Sequence, residues 1–401
     1  MEDVIVVGGG PTGFINALGL AQAGVRVTVI EAEPRIIDSP RAAVYFWSVL
    51  DGLERLGILA EAESIGFRKQ DYTYLVHRTG ERIPYSLEVL EGVTAHPYNV
   101  HLGQHQLADI AMRRLRGFSN ASIRFDTRLE TLNQDADGVT LTVQAPGGRE
   151  ELRAKWVIGA DGAGSTVRRQ LGLPFDGMTW PERFVATNVY YDFERHGYAR
   201  STLLIDDRHG AIIVLLNTQG LWRCTYMEDA TLFEDTFLER LPKVYEAILP
   251  GAVDYRVDRA SPYRMHQRSA PRYRLGRVVL AGDAAHATNP TGGLGLTSGL
   301  FDSYVLYPAL TAIVLDRADD AVLDRYSAVR HDTFVNRASP QAIANKQLIY
   351  HANGGGQKLE ETLTVLRRLS TDPALLLERL MFTKSLETPP LLGSKHAGLA
   401  A

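Results

Sequence analysis

Three glycines at positions 8, 10 and 13 follow directly on an apolar run, Val4-Ile5-Val6-Val7. They open a stretch, residues 13–23, in which Phe14, Ile15, Leu18, Leu20 and Ala21 recur with helical spacing until Gly24. The pattern Gly8-x-Gly10-x-x-Gly13 suits the binding of a pyrophosphate. The first glycine allows a tight turn, the second a close backbone approach, and the third close packing of helix on strand. Pro11 and Thr12 fall at the start of that helix, where unpaired N–H groups and the positive dipole end attract phosphate. Glu31 closes a second apolar strand, residues 25–30, where a carboxylate can accept bonds from a ribose diol. Together these residues read as a dinucleotide-binding βαβ unit and leave open whether the nucleotide is a nicotinamide or a flavin.

Two further constellations settle that choice. Residues 156–168 run Trp-Val-Ile-Gly-Ala-Asp-Gly-Ala-Gly-Ser-Thr-Val-Arg, and residues 277–302 contain Ala-Gly-Asp-Ala-Ala-His-Ala-Thr-Asn-Pro-Thr-Gly-Gly-Leu-Gly-Leu-Thr. With the first motif they stand in the order and at the spacing of a known family. The sequence resembles the single-component FAD-dependent aromatic hydroxylases, the para-hydroxybenzoate hydroxylase-like group A flavoprotein monooxygenases, over roughly residues 1–340. A para-nitrophenol-monooxygenase-like phenol hydroxylase is one branch that fits. The resemblance implies FAD as cofactor and NADPH or NADH as co-substrate. It implies that Asp283 bonds the ribityl chain and that Pro290 to Gly295, including Gly293, pass the flavin ring. The helix that follows, with Leu296 and Thr297, would aim its N-terminus at the flavin's pyrimidine edge. Asp161 and Arg168 would serve FAD and the nicotinamide coenzyme, Arg41 the pyrophosphate, and Gln104 the cofactor. Thr297 departs from the family's frequent asparagine, which puts any side-chain contact from that position in doubt.

The implied reaction is hydroxylation of an aromatic ring: hydride from NAD(P)H to FAD, oxygen addition to give a flavin C4a-hydroperoxide, and attack by the ring on its distal oxygen. The cofactor carries that chemistry, in keeping with the absence of a Gly-x-Ser-x-Gly elbow or a His-Glu-x-x-His pair. The 11 histidines are scattered and the single cysteine, Cys224, excludes a cysteine-based zinc cluster or an internal disulfide. No metal is expected. The substrate should lie against the residues 184–226, an alternating stretch rich in Tyr, Val and Ile. Tyr190, Tyr191, Asn217, Trp222, Arg223 and Tyr226 are its candidate contacts, with Pro290 and Thr291 from the flavin loop. On alternating strands about half of these must point away. Residues 212–217 carry no Arg or Lys, which favours a neutral or weakly charged phenol such as a nitro- or alkyl-phenol; Arg223 keeps a benzoate-like substrate open. Tyr45, Phe46 and Trp47 fit either the site or the core.

The elements that must position these residues alternate between short apolar strands and helical patterns. Helices are expected at 48–59, 104–115 and 301–315, strands within 70–88 and 122–158, and a turn at Pro146-Gly147-Gly148. This is an α/β fold: a Rossmann-like FAD-binding domain with an inserted antiparallel β-sheet substrate domain and C-terminal helices. The expected division is 1–70, 98–176 and 270–340 for the FAD-binding domain, 71–97 and 177–269 for the substrate-binding sheet, and 341–401 for C-terminal helices and a loose tail, in a monomer or homodimer. A chain of 401 residues, 45% hydrophobic and 22% charged, has ample core, and a net charge of −4 argues against a nucleic-acid partner. There is no membrane span and no secretory signal in the pattern, so a cytoplasmic protein is expected. The tryptophans at 47, 156, 180 and 222 form no Trp-x-Trp element, which disfavours a flavin halogenase. A flavoenzyme oxidising or epoxidising an isoprenoid-like substrate, and a non-catalytic FAD-binding electron carrier, remain as alternatives.

Overall fold

A computed structural model describes residues 1–38, 43–249, 251 and 254–392. The expected Rossmann-like fold with an inserted sheet and C-terminal helices is present, built among these residues on two eight-stranded sheets. The first holds five parallel strands in the order Val278–Leu280, Gly148–Gly159, Glu2–Val7, Val27–Ile30 and Ala121–Arg124. The inner strands Glu2–Val7, Val27–Ile30 and Val278–Leu280 are rich in Val and Ile and buried almost throughout, with Val4, Ile5 and Val6 at 0% exposure, as parallel strands covered on both faces are. The chain leaves Glu2–Val7 toward one edge and returns on its other side as Gly148–Gly159, so the strand order reverses between these two. Ligands of such sheets bind outside the carboxyl ends of the strands at that reversal. The site therefore opens where Gly8 and Ala160 leave the sheet. The approach is tight: a Cβ on Gly8, whose φ is +113°, would lie 2.3 Å from the Ala160 carbonyl oxygen.

The second sheet runs Glu81–Ser86, Asp71–Val76, Ser201–Ile205, Ala211–Leu215, Leu221–Asp229, Asp176–Tyr190, Arg256–Ser269 and His286–Ala287. Two details differ from the sequence reading. Asp71–Val76 pairs parallel with Ser201–Ile205, so the sheet is mixed. His286–Ala287, expected with the FAD-binding segment, adds an edge strand here instead. One face of the sheet packs on the helix Phe237–Ile248, with Trp222, Cys224, Tyr226 and Tyr245 in the interface. The other face looks toward the nucleotide-binding sheet and the C-terminal helices.

The helix expected at 48–59 is two, Trp47–Arg55 and Leu59–Ile65, because Gly57 turns the chain at φ +68°. The helix expected at 301–315 begins earlier, spanning Leu294–Val314, so its N-terminus lies inside the glycine-rich loop. It packs against Trp47–Arg55 through Gly52, where a Cβ would fall 2.1 Å from the Tyr304 ring. The tyrosine hydroxyl donates to the Val49 carbonyl. The helices Ser339–His351, Gly356–Leu369 and Pro373–Lys384 then fold back over the second sheet. The segment after Lys384 is not loose as far as it is described, since Leu386, Thr388 and Leu391 are buried; the rest of the expected tail, 393–401, lies outside the described residues. Among the described residues no helix is long and apolar enough to cross a membrane, and no group of His, Cys, Asp or Glu could hold a metal ion.

Candidate active site

A cavity of about 1330 Å³ runs from the first glycine turn, between the two sheets, to the C-terminal helices. Single small-molecule pockets are roughly 300–1,000 Å³, so this one has room for a dinucleotide and a second ligand beside it.

The nucleotide end is built from backbone. The helix Pro11–Gln22 has Gly10 as N-cap with no side-chain cap, and its first turn faces the cavity. Nothing lies within 4 Å of a Cβ placed on Gly10, whereas one on Gly13 would sit 1.9 Å from the Gly8 carbonyl oxygen. Gly10 thus leaves space for a ligand, and Gly13 space for the protein itself. Glu31 lines the cavity and clamps the turn, its carboxylate accepting from Gly9 N at 2.6 Å and Glu33 N at 2.9 Å. A carboxylate offers about four acceptor positions, so two remain for a ribose. Gln104 and Asp283 line the same cavity, as do Arg35, Arg128 and Arg169, three basic residues that the motifs do not single out.

The ring end is the loop Pro290, Thr291, Gly292, Gly293, Leu294, Gly295 and Leu296, all on the cavity wall. Gly293, at φ +65°, is the N-cap of Leu294–Val314, again without a side-chain cap. Thr291 Oγ1 and Trp47 Nε1 are buried on this wall without a hydrogen-bond partner. Two uncapped helix N-termini, a cleared cradle at Gly10, an acid at the second strand and orphaned polar atoms at the ring end fit an FAD molecule.

Several expected residues are placed differently. Arg168 is buried against Phe175, its guanidinium 3.7 Å from the ring centroid, and donates to the carbonyls of Ala284 and Ala163. It ties two loops together, and its neighbour Arg169 is the one on the cavity wall. Asp161 reaches the cavity, but its oxygens accept from Ser165 Oγ, Thr166 N and Val167 N, capping the short helix Thr166–Gln170. Thr297 turns its hydroxyl onto its own helix, donating to the Gly293 carbonyl at 2.9 Å. Arg41 lies outside the described residues.

The substrate candidates divide by the pleat of Leu221–Asp229. Arg223 and Thr225 face the cavity. Trp222 and Tyr226, one residue out of phase, are in the core against Phe237–Ile248. Tyr190 ends its strand beneath the Arg256 guanidinium, at 4.0 Å from the ring centroid, and Tyr191 stacks on His196. Asn217 belongs to the turn before Leu221, its Oδ1 accepting from Gln219 N and Leu221 N. Tyr190, Asn217 and Tyr226 therefore stand off the cavity wall; Pro290, Thr291 and Arg223 stand on it. Of the aromatic triplet, Phe46 and Trp47 line the cavity and Tyr45 joins the core.

Arg223 is only 8% exposed, and its Nε and Nη2 donate to Asn188 Oδ1 at 3.1 and 2.9 Å. Burial lowers its pKa to about 10, which still leaves a cation at neutral pH. Tyr72, Tyr74 and Tyr85 form an aromatic wall that the sequence reading did not place. The Tyr72 hydroxyl accepts from Asn99 Nδ2 at 2.6 Å and faces His101 Nε2 at 3.4 Å. His101 is fully buried, bonds the Leu215 carbonyl through Nδ1, and is kept neutral by burial, which lowers its pKa to about 4. Leu366, Leu369, Leu376 and Leu380 of the last helices give the cavity an apolar wall at this end.

The FAD binding domain family matches residues 1–338. The chain is 45% identical over 349 residues to the para-nitrophenol 4-monooxygenase of Pseudomonas sp. (strain WBC-3), covering 86% of each. It is 40% identical over 388 residues to the 6-hydroxy-3-succinoylpyridine 3-monooxygenase HspB of Pseudomonas putida (strain DSM 28022 / S16), covering 96% of this chain and 98% of that one. The crystal structure of the p-nitrophenol 4-monooxygenase PnpA from Pseudomonas putida DLL-E4 superposes with a TM-score of 0.92 at 41% identity, over 96% of this chain and 98% of the other.

Proposed function

Because the chain belongs to the single-component FAD-dependent aromatic hydroxylases, we propose that its own substrate is a phenol carrying a nitro or carboxylate group, held at that group by Arg223. The protein is an FAD-dependent monooxygenase that uses NAD(P)H. Bound FAD supplies the hydride acceptance and the oxygen activation.

The observation that carries the substrate reading is the buried Arg223 guanidinium on the cavity face of the sheet. The absence of a basic residue at 212–217 argued for a neutral phenol, but the cation is supplied one strand over. A guanidinium forks onto two oxygens on one atom, as a carboxylate or nitro group presents them. An alkyl substituent offers that guanidinium no acceptor. The relatives named for p-nitrophenol and for a succinoylpyridine both act on rings with oxygen-bearing substituents, which supports this choice.

The protein's remaining work is orientation and exclusion of water. The Tyr72 hydroxyl, receiving from Asn99, keeps one lone pair to accept from the ring hydroxyl of the substrate, while its own hydrogen is directed at His101 Nε2. The uncapped first turn of Leu294–Val314 directs free N–H groups at the ring end of the cavity, where they favour negative charge. The test is a panel of para-substituted phenols assayed for stimulated NAD(P)H oxidation, with hydroxylated products identified by mass. Nitro- or carboxyphenols are expected to bind at least tenfold more tightly than alkylphenols. Equal or tighter alkylphenol binding refutes the proposal.

A further inference from the structure

Behind the Gly282-Asp283 turn, on the side away from the cavity, lies a charged cluster with no access to solvent. Asp302, His286 and Arg330 are each 0% exposed. Asp302 Oδ2 accepts from Gly282 N at 2.9 Å and from His286 Nε2 at 2.7 Å, and its Oδ1 accepts from Arg330 Nε at 2.7 Å. Arg330 spends its other donors on the carbonyls of Ser298 and Leu386 and on Thr388 Oγ1. The cluster thus joins the helix Leu294–Val314, the helix Val322–Thr333 and the segment after Lys384 to one backbone amide. That amide belongs to Gly282, at φ +58°, and a Cβ there would be 2.7 Å from Thr12 Oγ1 in the first glycine turn. The next residue, Asp283, is exposed on the cavity wall.

A buried ion cluster adds little to stability over apolar side chains of similar volume, because desolvation offsets the attraction. What it fixes is geometry. We propose that Asp302 is a positioning residue for FAD: by gripping Gly282 N it sets the turn that presents Asp283 to the cofactor, and Arg330, His286 and the Leu386–Thr388 segment hold Asp302 in place. This rests on FAD binding alone and is independent of the substrate.

The variant Asp302→Leu with Arg330→Met removes the carboxylate that accepts from Gly282 N together with the guanidinium paired to it, so neither is left as a lone buried ion. Deflavinated protein is titrated with FAD, following the quenching of flavin fluorescence, and its melting is followed by circular dichroism. The expected result is a melting temperature within a few degrees of the parent, an FAD dissociation constant raised tenfold or more, and an altered shape of the visible flavin band. A dissociation constant within twofold of the parent, with an unchanged band, overturns the proposal. Thr388→Val, which deletes one bond to Arg330, is the second variant in case the first does not fold. A twofold to fivefold rise in the dissociation constant supports the inference, and no rise overturns it.

Discussion

Gly10 and Gly13 are separated by one turn of helix, and alanine at each should have opposite effects. At Gly10 the backbone is φ −82°, ψ −179°, which alanine adopts without strain, and a new Cβ meets no protein atom within 4 Å. The apoprotein should therefore lose at most about 0.5 kcal/mol, as for a surface change without packing consequences. The methyl instead occupies the space into which the pyrophosphate must come. Overpacking of that kind costs about 1–3 kcal/mol. At roughly 1.4 kcal/mol per decade, FAD affinity should fall about 5- to 150-fold. At Gly13 the new Cβ lies 1.9 Å from Gly8 O and 3.4 Å from Val6 Cγ1, so helix and turn must part by more than 1 Å to reach a 3.0 Å contact. Both opposing groups belong to the central strand and its turn and cannot swing away. Here the apoprotein itself should lose about 1–3 kcal/mol, visible as a lowered melting temperature without FAD. The two quantities are read on deflavinated protein, one by thermal melting and the other by fluorescence titration with FAD. If Gly10→Ala binds FAD as the parent does, the ligand does not lie against Gly10 and the nucleotide end of the cavity has been misread.

Arg223→Met should raise KM for a nitro- or carboxyphenol at least tenfold while leaving FAD affinity unchanged, whereas Tyr226→Phe, on the opposite face of the same strand, should leave KM within twofold; steady-state kinetics decide. Gly52→Ala should cost about 1–3 kcal/mol in urea unfolding because the Tyr304 ring has nowhere to go; a loss under 0.5 kcal/mol would mean the two helices slide freely. His101 carries a pH signature. Its folded pKa, about 4, is below its ordinary 6.5, so between those values the unfolded chain binds the extra proton. The contribution is complete above pH 6.5 and is lost as pH falls toward 4, amounting to about 3 kcal/mol. Urea unfolding of the parent and of His101→Gln at pH 7 and pH 4.5 measures it, and an equally steep loss in the variant would locate the effect elsewhere.

The nucleotide end of the site was legible because its signals are local. Gly8, Gly10, Gly13, Glu31 and Asp283 act through backbone turns that neighbouring residues specify. The substrate end was legible only as composition. Arg223 could be named but not oriented, since a period of two reveals that residues alternate and not which set faces a ligand. Tyr226 is on the far face of its strand, whereas Tyr190 stands at a strand end and Asn217 in a turn, where no alternation applies. Tyr72 and Tyr74 were read as strand residues, yet their place on the cavity wall depends on pairing with Ser201–Ile205, over a hundred residues away. The buried role of Arg168 was hidden for a different reason: its partners are carbonyls and the Phe175 ring, which leave no charge pattern in the sequence. Helix starts were misjudged where glycine precedes them, as at Leu294, because an uncapped N-terminus lacks the side chain that normally announces one.

The cavity wall draws on Val7 near one end of the chain and Thr383 near the other. During translation, at roughly 5–20 residues per second, the glycine turn and its first two strands emerge early, but the leucines on the far wall of the cavity follow long afterwards. A nascent chain can offer the phosphate-binding turn long before it can enclose a ring. Capture of a yellow holoprotein must therefore wait until the helices Gly356–Leu369 and Pro373–Lys384 have emerged. Supply of cofactor at that moment would then help set how much of the synthesised chain reaches its mature form.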